Sequence, residues 1–247
     1  MKRRLTKAGK IIVGVAAALA IGGIGTAVWK NQPKKAAAAA ATISAAPSTA
    51  APTPTATPSA SPDSHYEERT AINPDYIGEL SFESGLVDQN VVQSTDNEKY
   101  LNLSWDLQST TQGAAFMDYR NSLTDQNLII YGHYVYYDAT KMFTPLEKLT
   151  DQANYEANQY IDLKLADETR KYQITDVFHY TMDDENLMYY YIAYDADYFQ
   201  TYMNAVHAAD FYSTGIDLTM SDHILTLQTC VRDHDEERLI VLARQIS

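Results

Sequence analysis

Cys230 is the only cysteine in 247 residues, and it closes the apolar, β-branched run LTLQTC, residues 225–230. A lone thiol cannot form an internal disulfide, so its available chemistry is nucleophilic. The attacking species is the thiolate, and an ordinary thiol with a pKa of about 8.5 is mostly protonated at neutral pH. Two kinds of neighbour change that: a cation that favours the thiolate, and an imidazole that carries the proton. Arg238 follows the cysteine across the acidic stretch VRDHDEE. Read as a hairpin, Ile224–Cys230 and Arg238–Ile246 are the strands and VRDHDEE is a seven-residue loop. Cys230 and Arg238 then project from the same sheet face. Of the six histidines, His133 stands out because it ends NLIIYGH, an apolar strand passing through Gly132. Glycine there allows a tight turn, and a strand end is a rigid mount for a catalytic group. His65 lies near the start of the folded region and His207 in a helix, while His223 and His234 flank the cysteine strand, where solvent exposure is the default.

Each feature also has a plainer reading. A lone strand cysteine is most often a small core hydrophobe, and an arginine beside an acidic loop is most often a surface ion pair worth about 0–1 kcal/mol. DHDEE, residues 233–237, lacks a separated partner cluster and reads as a solvated turn, so no metal is expected. No Gly-rich phosphate loop, GxSxG elbow or HExxH is present, and no cofactor is expected.

Short runs rich in Val, Ile, Tyr, Phe and Thr position these residues: Gly78–Phe82, Val91–Gln93, Ala114–Met117, Asn127–Tyr131, Tyr160–Leu165, Lys171–His179, Leu187–Ala193, and the two hairpin strands. Bounded by Asp, Asn, Gly or Ser, they read as eight or nine strands of a barrel or sandwich. Between them, Tyr198, Tyr202, Ala205, Ala209 and Tyr212 fall at helical spacing, which predicts a helix over 195–212. Asp195 or Asp197 would cap its start and Gly215 follow its end. A weaker helical stretch covers Ser64 to Ile72.

Upstream, MKRRLTKAGK carries five basic residues in ten, and IIVGVAAALAIGGIGTAVW, residues 11–29, carries no charge. As a helix that run would span roughly 29 Å, close to the hydrocarbon core of a bilayer. It exceeds the apolar core of about 7–15 residues in a cleavable leader. The expectation is therefore a cytoplasmic tail at 1–10 and a transmembrane signal anchor at 11–29, with cleavage in the Ala-rich stretch as the alternative. By the positive-inside rule, everything after Trp29 lies outside the cell membrane. Ala36 to Pro62 holds only Ala, Pro, Ser and Thr apart from Ile43, so residues 30–62 read as a spacer unable to offset its ordering entropy by burial. Residues 63–247 then form one domain. No Asp or Glu precedes position 36, so setting aside the eight basic residues there takes the net charge from −13 to −21. A surface this acidic is a poor partner for nucleic acid.

NLIIYGHY followed by TKMFTPLEKL, LTLQTC followed by Arg238, and the helix before the cysteine strand resemble the sortase family, class B. The upstream series INPDYIGELSF, VVQSTDNEKYL and GAAFMDYRN matches the same class, so the resemblance covers about Asn73 to Ile246. It implies a mainly β fold: a closed eight-stranded sortase-type barrel with an N-terminal helix and the inserted helix. It also implies an extracellular cysteine transpeptidase without a cofactor. Such an enzyme cleaves a C-terminal sorting motif of secreted proteins after threonine, through a thioester on Cys230. It then transfers the protein to an amine of peptidoglycan or its precursor. His133 would carry protons, and Arg238 would donate hydrogen bonds to the substrate carbonyl. Three positions depart from the family pattern: Tyr134 stands where Asn is common, Gln228 where Ser is frequent, and Arg232 where some members have an assisting Asp. Gln228 shares a face with Cys230 and is a candidate substrate contact. The alternatives are a pilin-joining sortase, an inactive sortase-like binding module, a hydrolytic cysteine protease, and a redox thiol protein, which would lack a resolving cysteine.

Overall fold

The computed structural model describes residues 62–182 and 184–247. Its strands are β1 (Tyr76–Phe82), β2 (Asp88–Val92), β3 (Ala115–Met117), β4 (Asn127–Tyr131), β5 (Tyr160–Lys164), β6 (Thr169–Thr181), β7 (Ile224–Val231) and β8 (His234–Gln245). They close into a barrel in the order β1-β2-β3-β4-β7-β8-β6-β5. Two neighbouring pairs, β2 with β3 and β4 with β7, run parallel. The α-helices are α1 (Tyr66–Ile72), α2 (Tyr155–Asn158) and α3 (Ala196–Ala209), the last inserted between β6 and β7. The expected closed eight-stranded barrel with its N-terminal and inserted helices is the observed architecture.

The period-2 alternation of the strands builds two layers. Leu128 and Ile130 of β4, Leu225 and Leu227 of β7, and Leu239, Val241 and Ala243 of β8 fill the barrel interior with Phe143 and Leu146. The intervening Ile224, Ile240 and Leu242 join Phe178 in a second cluster with Phe199, Tyr202, Met203 and Val206 of α3. Fully burying one such side chain contributes about 1.5–3 kcal/mol. The wall β4-β7-β8 is therefore packed on both faces and stiff. Asp195 caps α3 by accepting a hydrogen bond from the Tyr198 N–H at 2.9 Å.

Four local expectations differ from what is observed. Leu187–Ala193 is not a strand but a series of turns. Asn127 Nδ2 donates to the carbonyls of Tyr189 and Tyr191 at 2.9 and 2.8 Å, and the Asn127 N–H donates to the Ile192 carbonyl at 3.0 Å. The end of β4 thus takes up the carbonyls that a strand would offer to a neighbour. The acidic run after Cys230 is not an open loop, because β8 begins at His234, paired with Val231. Only Arg232 and Asp233 form the turn, with Asp233 at φ 61°, a conformation that Asp tolerates. The Cys230–Arg238 register survives because an irregularity between Cys230 and Val231 absorbs the surplus residues. Helix α3 ends at Ala209, since Asp210 turns extended and bridges to Phe178, and Gly215 lies well beyond that end. Finally, Gly132 is not in the left-handed region. A Cβ there would lie 2.3 Å from Cγ of Phe143, so the requirement is space and not turn geometry.

The membrane assignment needs correction. No helix among the described residues is long and apolar enough to cross a membrane. The longest, α3, has 14 residues, against the roughly 20 that a span requires. The tail, anchor and spacer expected at 1–10, 11–29 and 30–62 fall outside the described residues except at position 62. The single-pass membrane localisation is therefore withdrawn.

Candidate active site

Backbone register brings the sequence-selected residues to one end of three adjacent strands. Tyr131 of β4 pairs with Gln228 of the parallel β7, and the Gly132 N–H donates to the Gln228 carbonyl at 3.0 Å. His133 and Cys230 each lie two residues beyond that pair, on chains running the same way. On the other side of β7, Arg238 of the antiparallel β8 is the direct partner of Cys230. Cys230 and Gln228 share the outward face of β7. The Tyr189 hydroxyl donates to Oε1 of Gln228 at 3.5 Å.

The surrounding contacts hold these residues in place. The His133 carbonyl accepts from the Phe143 N–H at 3.1 Å, and the Val135 N–H donates to Oγ1 of Thr144 at 2.7 Å. Nη2 of Arg232 donates to the Tyr136 carbonyl at 3.0 Å, tying the β7–β8 turn to the loop after His133. Nη1 of Arg238 donates to the carbonyls of Asp235 and Glu237 at 2.8 and 2.7 Å. Those two bonds seat the guanidinium and leave its Nε–H and Nη2 donors outside them.

The electrostatics suit a nucleophile held in reserve. Burial pushes the Cys230 thiol up, the Arg238 charge pulls it back, and the Asp235 carboxylate adds to the rise. Burial pushes the His133 imidazole down, which leaves it neutral at neutral pH. Cys230 as a residue is half-buried. A thiol, a proton-carrying imidazole and a donor fork at one strand end are the parts needed for acyl transfer.

The remaining histidines sit elsewhere. His223 and His234 are exposed, His65 lies at the start of α1, and Nε2 of His207 lies 3.7 Å from Oδ1 of Asp176. His179 has a different setting, one the sequence did not disclose. It pairs with Leu239 across β6 and β8, and with Tyr134, Glu147, Phe211 and Leu239 it lines a cleft of about 140 Å³ that Cys230 borders. The Tyr134 hydroxyl donates to Oε2 of Glu147 at 2.7 Å, and the His179 ring meets Phe211 edge-on at 4.9 Å. Nδ1 of His179 lies 3.3 Å from Oε2 of Glu237. Burial lowers the His179 pKa, with the Glu237 and Glu147 charges opposing and His234 assisting. Tyr134 and Glu147 fall within NLIIYGHY and TKMFTPLEKL, but nothing in either segment points to His179, which reaches the cleft because β6 lies beside β8. Among the described residues, no group of three or more His, Cys, Asp or Glu could hold a metal ion.

Residues 82–246 match the Sortase domain family. Sortase B of Staphylococcus aureus is 30% identical over 186 residues, covering 73% of this chain and 74% of that protein. Among solved structures, sortase B of Clostridium perfringens superposes with a TM-score of 0.65 at 27% identity, covering 73% of this chain and 99% of that one. A Staphylococcus aureus sortase B–substrate complex gives a TM-score of 0.65 at 26% identity, covering 74% and 84% of the respective chains.

Proposed function

This chain belongs to the sortase family, in its class B, and on that footing we propose how its transpeptidation runs. It cleaves a C-terminal sorting motif of secreted proteins after threonine and passes the acyl group to an amine of peptidoglycan or its precursor. The observation that carries this reading is the register of β4, β7 and β8, which sets His133, Cys230 and Arg238 at one end of three neighbouring strands. The likeness to a sortase B solved as a substrate complex supports a substrate-processing role for this fold.

Cys230 passes its proton to His133, and the sulfur attacks the threonine carbonyl. The free N–H groups of Arg238 receive the developing oxyanion, an interaction typically worth about 2.7–4 kcal/mol. His133 then gives the proton to the departing amine as the C–N bond breaks, leaving a thioester. An incoming amine attacks that carbonyl and loses a proton to His133. The new C–N bond forms, the C–S bond breaks and the thiolate is regenerated. Gln228, held by Tyr189 on the same strand face, contacts the bound peptide.

A quenched sorting-motif peptide should be cleaved by the protein and left intact by Cys230→Ala, with native circular dichroism retained. Cleavage persisting in Cys230→Ala would overturn the thioester mechanism.

A further inference from the structure

A second cleft, of about 400 Å³, lies outside the chemistry described above. It equals roughly thirteen waters at about 30 Å³ each and falls within the roughly 300–1,000 Å³ of ligand clefts. The 3-10 helix Thr144–Thr150 divides it from the cleft beside Cys230. Residues three apart eclipse on such a helix, so Glu147 and Thr150 face the Cys230 cleft while Pro145 and Lys148 face the second one. The other walls are the β1–β2 turn at 84–86, Ala139 and Thr140 of the loop after His133, and Asn154 and Asn158 at α2.

The polar groups of this cleft are biased toward donors. Among its lining residues the exposed Lys148 is the one cation and none is acidic, on a chain of net charge −13. No residue among those described pairs with the Lys148 ammonium. Nδ2 of Asn154 donates to the Lys148 carbonyl at 2.9 Å, and Nδ2 of Asn158 donates to the Asn154 carbonyl at 2.6 Å. Each amide carries two N–H groups, so each keeps one for a ligand. Oγ of Ser84 donates to Oδ1 of Asn158 at 2.6 Å and ties the turn to α2. The Thr140 hydroxyl donates to Oδ1 of Asp138 at 2.6 Å, which leaves its lone pairs to accept. The half-buried Leu86 and the buried Pro145 add an apolar strip. Such a surface suits a compact ligand with a carbonyl acceptor, hydroxyls that both donate and accept, and one apolar face. An inorganic anion would leave the strip and both amides without a partner.

We infer that this cleft binds an N-acetylated sugar. The acetamido carbonyl lies on Lys148, ring hydroxyls on Asn154, Asn158 and Thr140, and the C–H face of the ring on Leu86 and Pro145. It is a holding site, separate from acyl transfer: contact with a glycan raises the effective concentration of the enzyme at that polymer. That use rests on the transpeptidase reading, whose acceptor is borne on an N-acetylated glycan; the binding itself does not.

Nuclear magnetic resonance titration of the full-length protein with N,N′-diacetylchitobiose, without any sorting peptide, tests the binding. The Thr140, Lys148, Asn154 and Asn158 resonances should shift and saturate. Cellobiose, which carries hydroxyls in place of the acetamido groups, should bind about two- to tenfold more weakly, the range of one net hydrogen bond. Lys148→Met, which keeps the stem and removes the ammonium, should weaken binding of the acetylated sugar by the same factor. Ala139→Trp, at an exposed wall position, should fill the cleft and abolish the shifts. Equal affinity for cellobiose, displacement of the sugar by equimolar inorganic phosphate, or binding unmoved by both variants would overturn the inference. Cys230→Ala should bind the sugar as the unsubstituted protein does, so this inference and the transpeptidase reading can fail separately.

Discussion

At the level of single residues, the notable feature is a thiol whose surroundings disagree. Burial holds Cys230 protonated and Arg238 opposes it, so the proposed mechanism gives Arg238 two separable duties: its charge would tune the sulfur, and its planar donors would serve the substrate. Iodoacetamide alkylation of Cys230 should accordingly rise with pH through a midpoint above that of an ordinary thiol. Arg238→Gln should move the midpoint higher, because loss of the cation leaves burial and Asp235 unopposed. Arg238→Lys should keep the midpoint near its original position yet lower peptide cleavage by about 10²–10³-fold, since an ammonium keeps the charge and loses the fork. An unmoved midpoint in Arg238→Gln would show that its charge does not reach the sulfur. Cys230, His133 and Arg238 were legible in the sequence because each ends or begins an apolar strand. Glu147 and His179 were not, since they stand far apart in the chain, on the 3-10 helix and on β6, and meet the residues of β7 and β8 in the cleft only through the barrel.

Among the structural elements, the junction leaving β4 governs where His133 sits. Gly132 lies against the ring of Phe143, a residue with no exposed surface, whose N–H also holds the His133 carbonyl. Gly→Ala at an ordinary negative φ usually stabilises by about 0.4–1 kcal/mol. Here an added methyl meets the ring, so Gly132→Ala should destabilise by about 1–3 kcal/mol in urea unfolding, the usual cost of overpacking. Peptide cleavage should fall with it as the imidazole is displaced. A stabilised variant would contradict the contact. Strands β1 to β8 were readable from alternation and β-branched content, as was α3 from its periodicity and Asp195 cap. The segment 187–193 was misread because its Leu and Tyr residues are apolar for a different reason: they cover the barrel's outer face. The acidic 234–237 was missed as strand because composition argued for a loop, whereas pairing with both β6 and β7 extends β8 through it.

Across the whole molecule, α3 is joined to the barrel through a buried acidic contact. Asp176, 1% exposed on the irregular stretch of β6, lies close enough to Asp210 at the end of α3 for each carboxyl to act on the other, and its Oδ2 is buried without a hydrogen-bond partner. Asp210 accepts from the Val177 N–H at 3.2 Å. Burial raises both carboxyls, and with the added charge of Asp176 it pushes Asp210 up to about 9. His207 lowers Asp176 and Asp217 raises it, while the buried Tyr202 feels the same charge. A folded-state pKa above the unfolded value of about 3.9 means the folded protein holds a proton that the unfolded chain has released. The stability it contributes is complete below pH 4 and is lost as pH rises through about 9, at up to about 1.4 kcal/mol per pH unit. Thermal denaturation should therefore show Tm falling from pH 5 to pH 9. Asp210→Asn should flatten that slope and raise Tm at pH 8. An unchanged slope in Asp210→Asn would place the pH dependence elsewhere.

The sequence by itself determined the chemistry on offer and the local elements that carry it: one thiol, one histidine and one arginine at strand ends, an apolar alternation of period two, and a capped helix. These are short-range properties, set by side-chain type and by the geometry of a few successive residues. Only the tertiary structure decided that β4 lies parallel to β7, that β8 lies between β7 and β6, and hence that Glu147 and His179 share a cleft with Cys230. Barrel closure is a long-range choice, made by which faces bury together, and no window of the chain contains it.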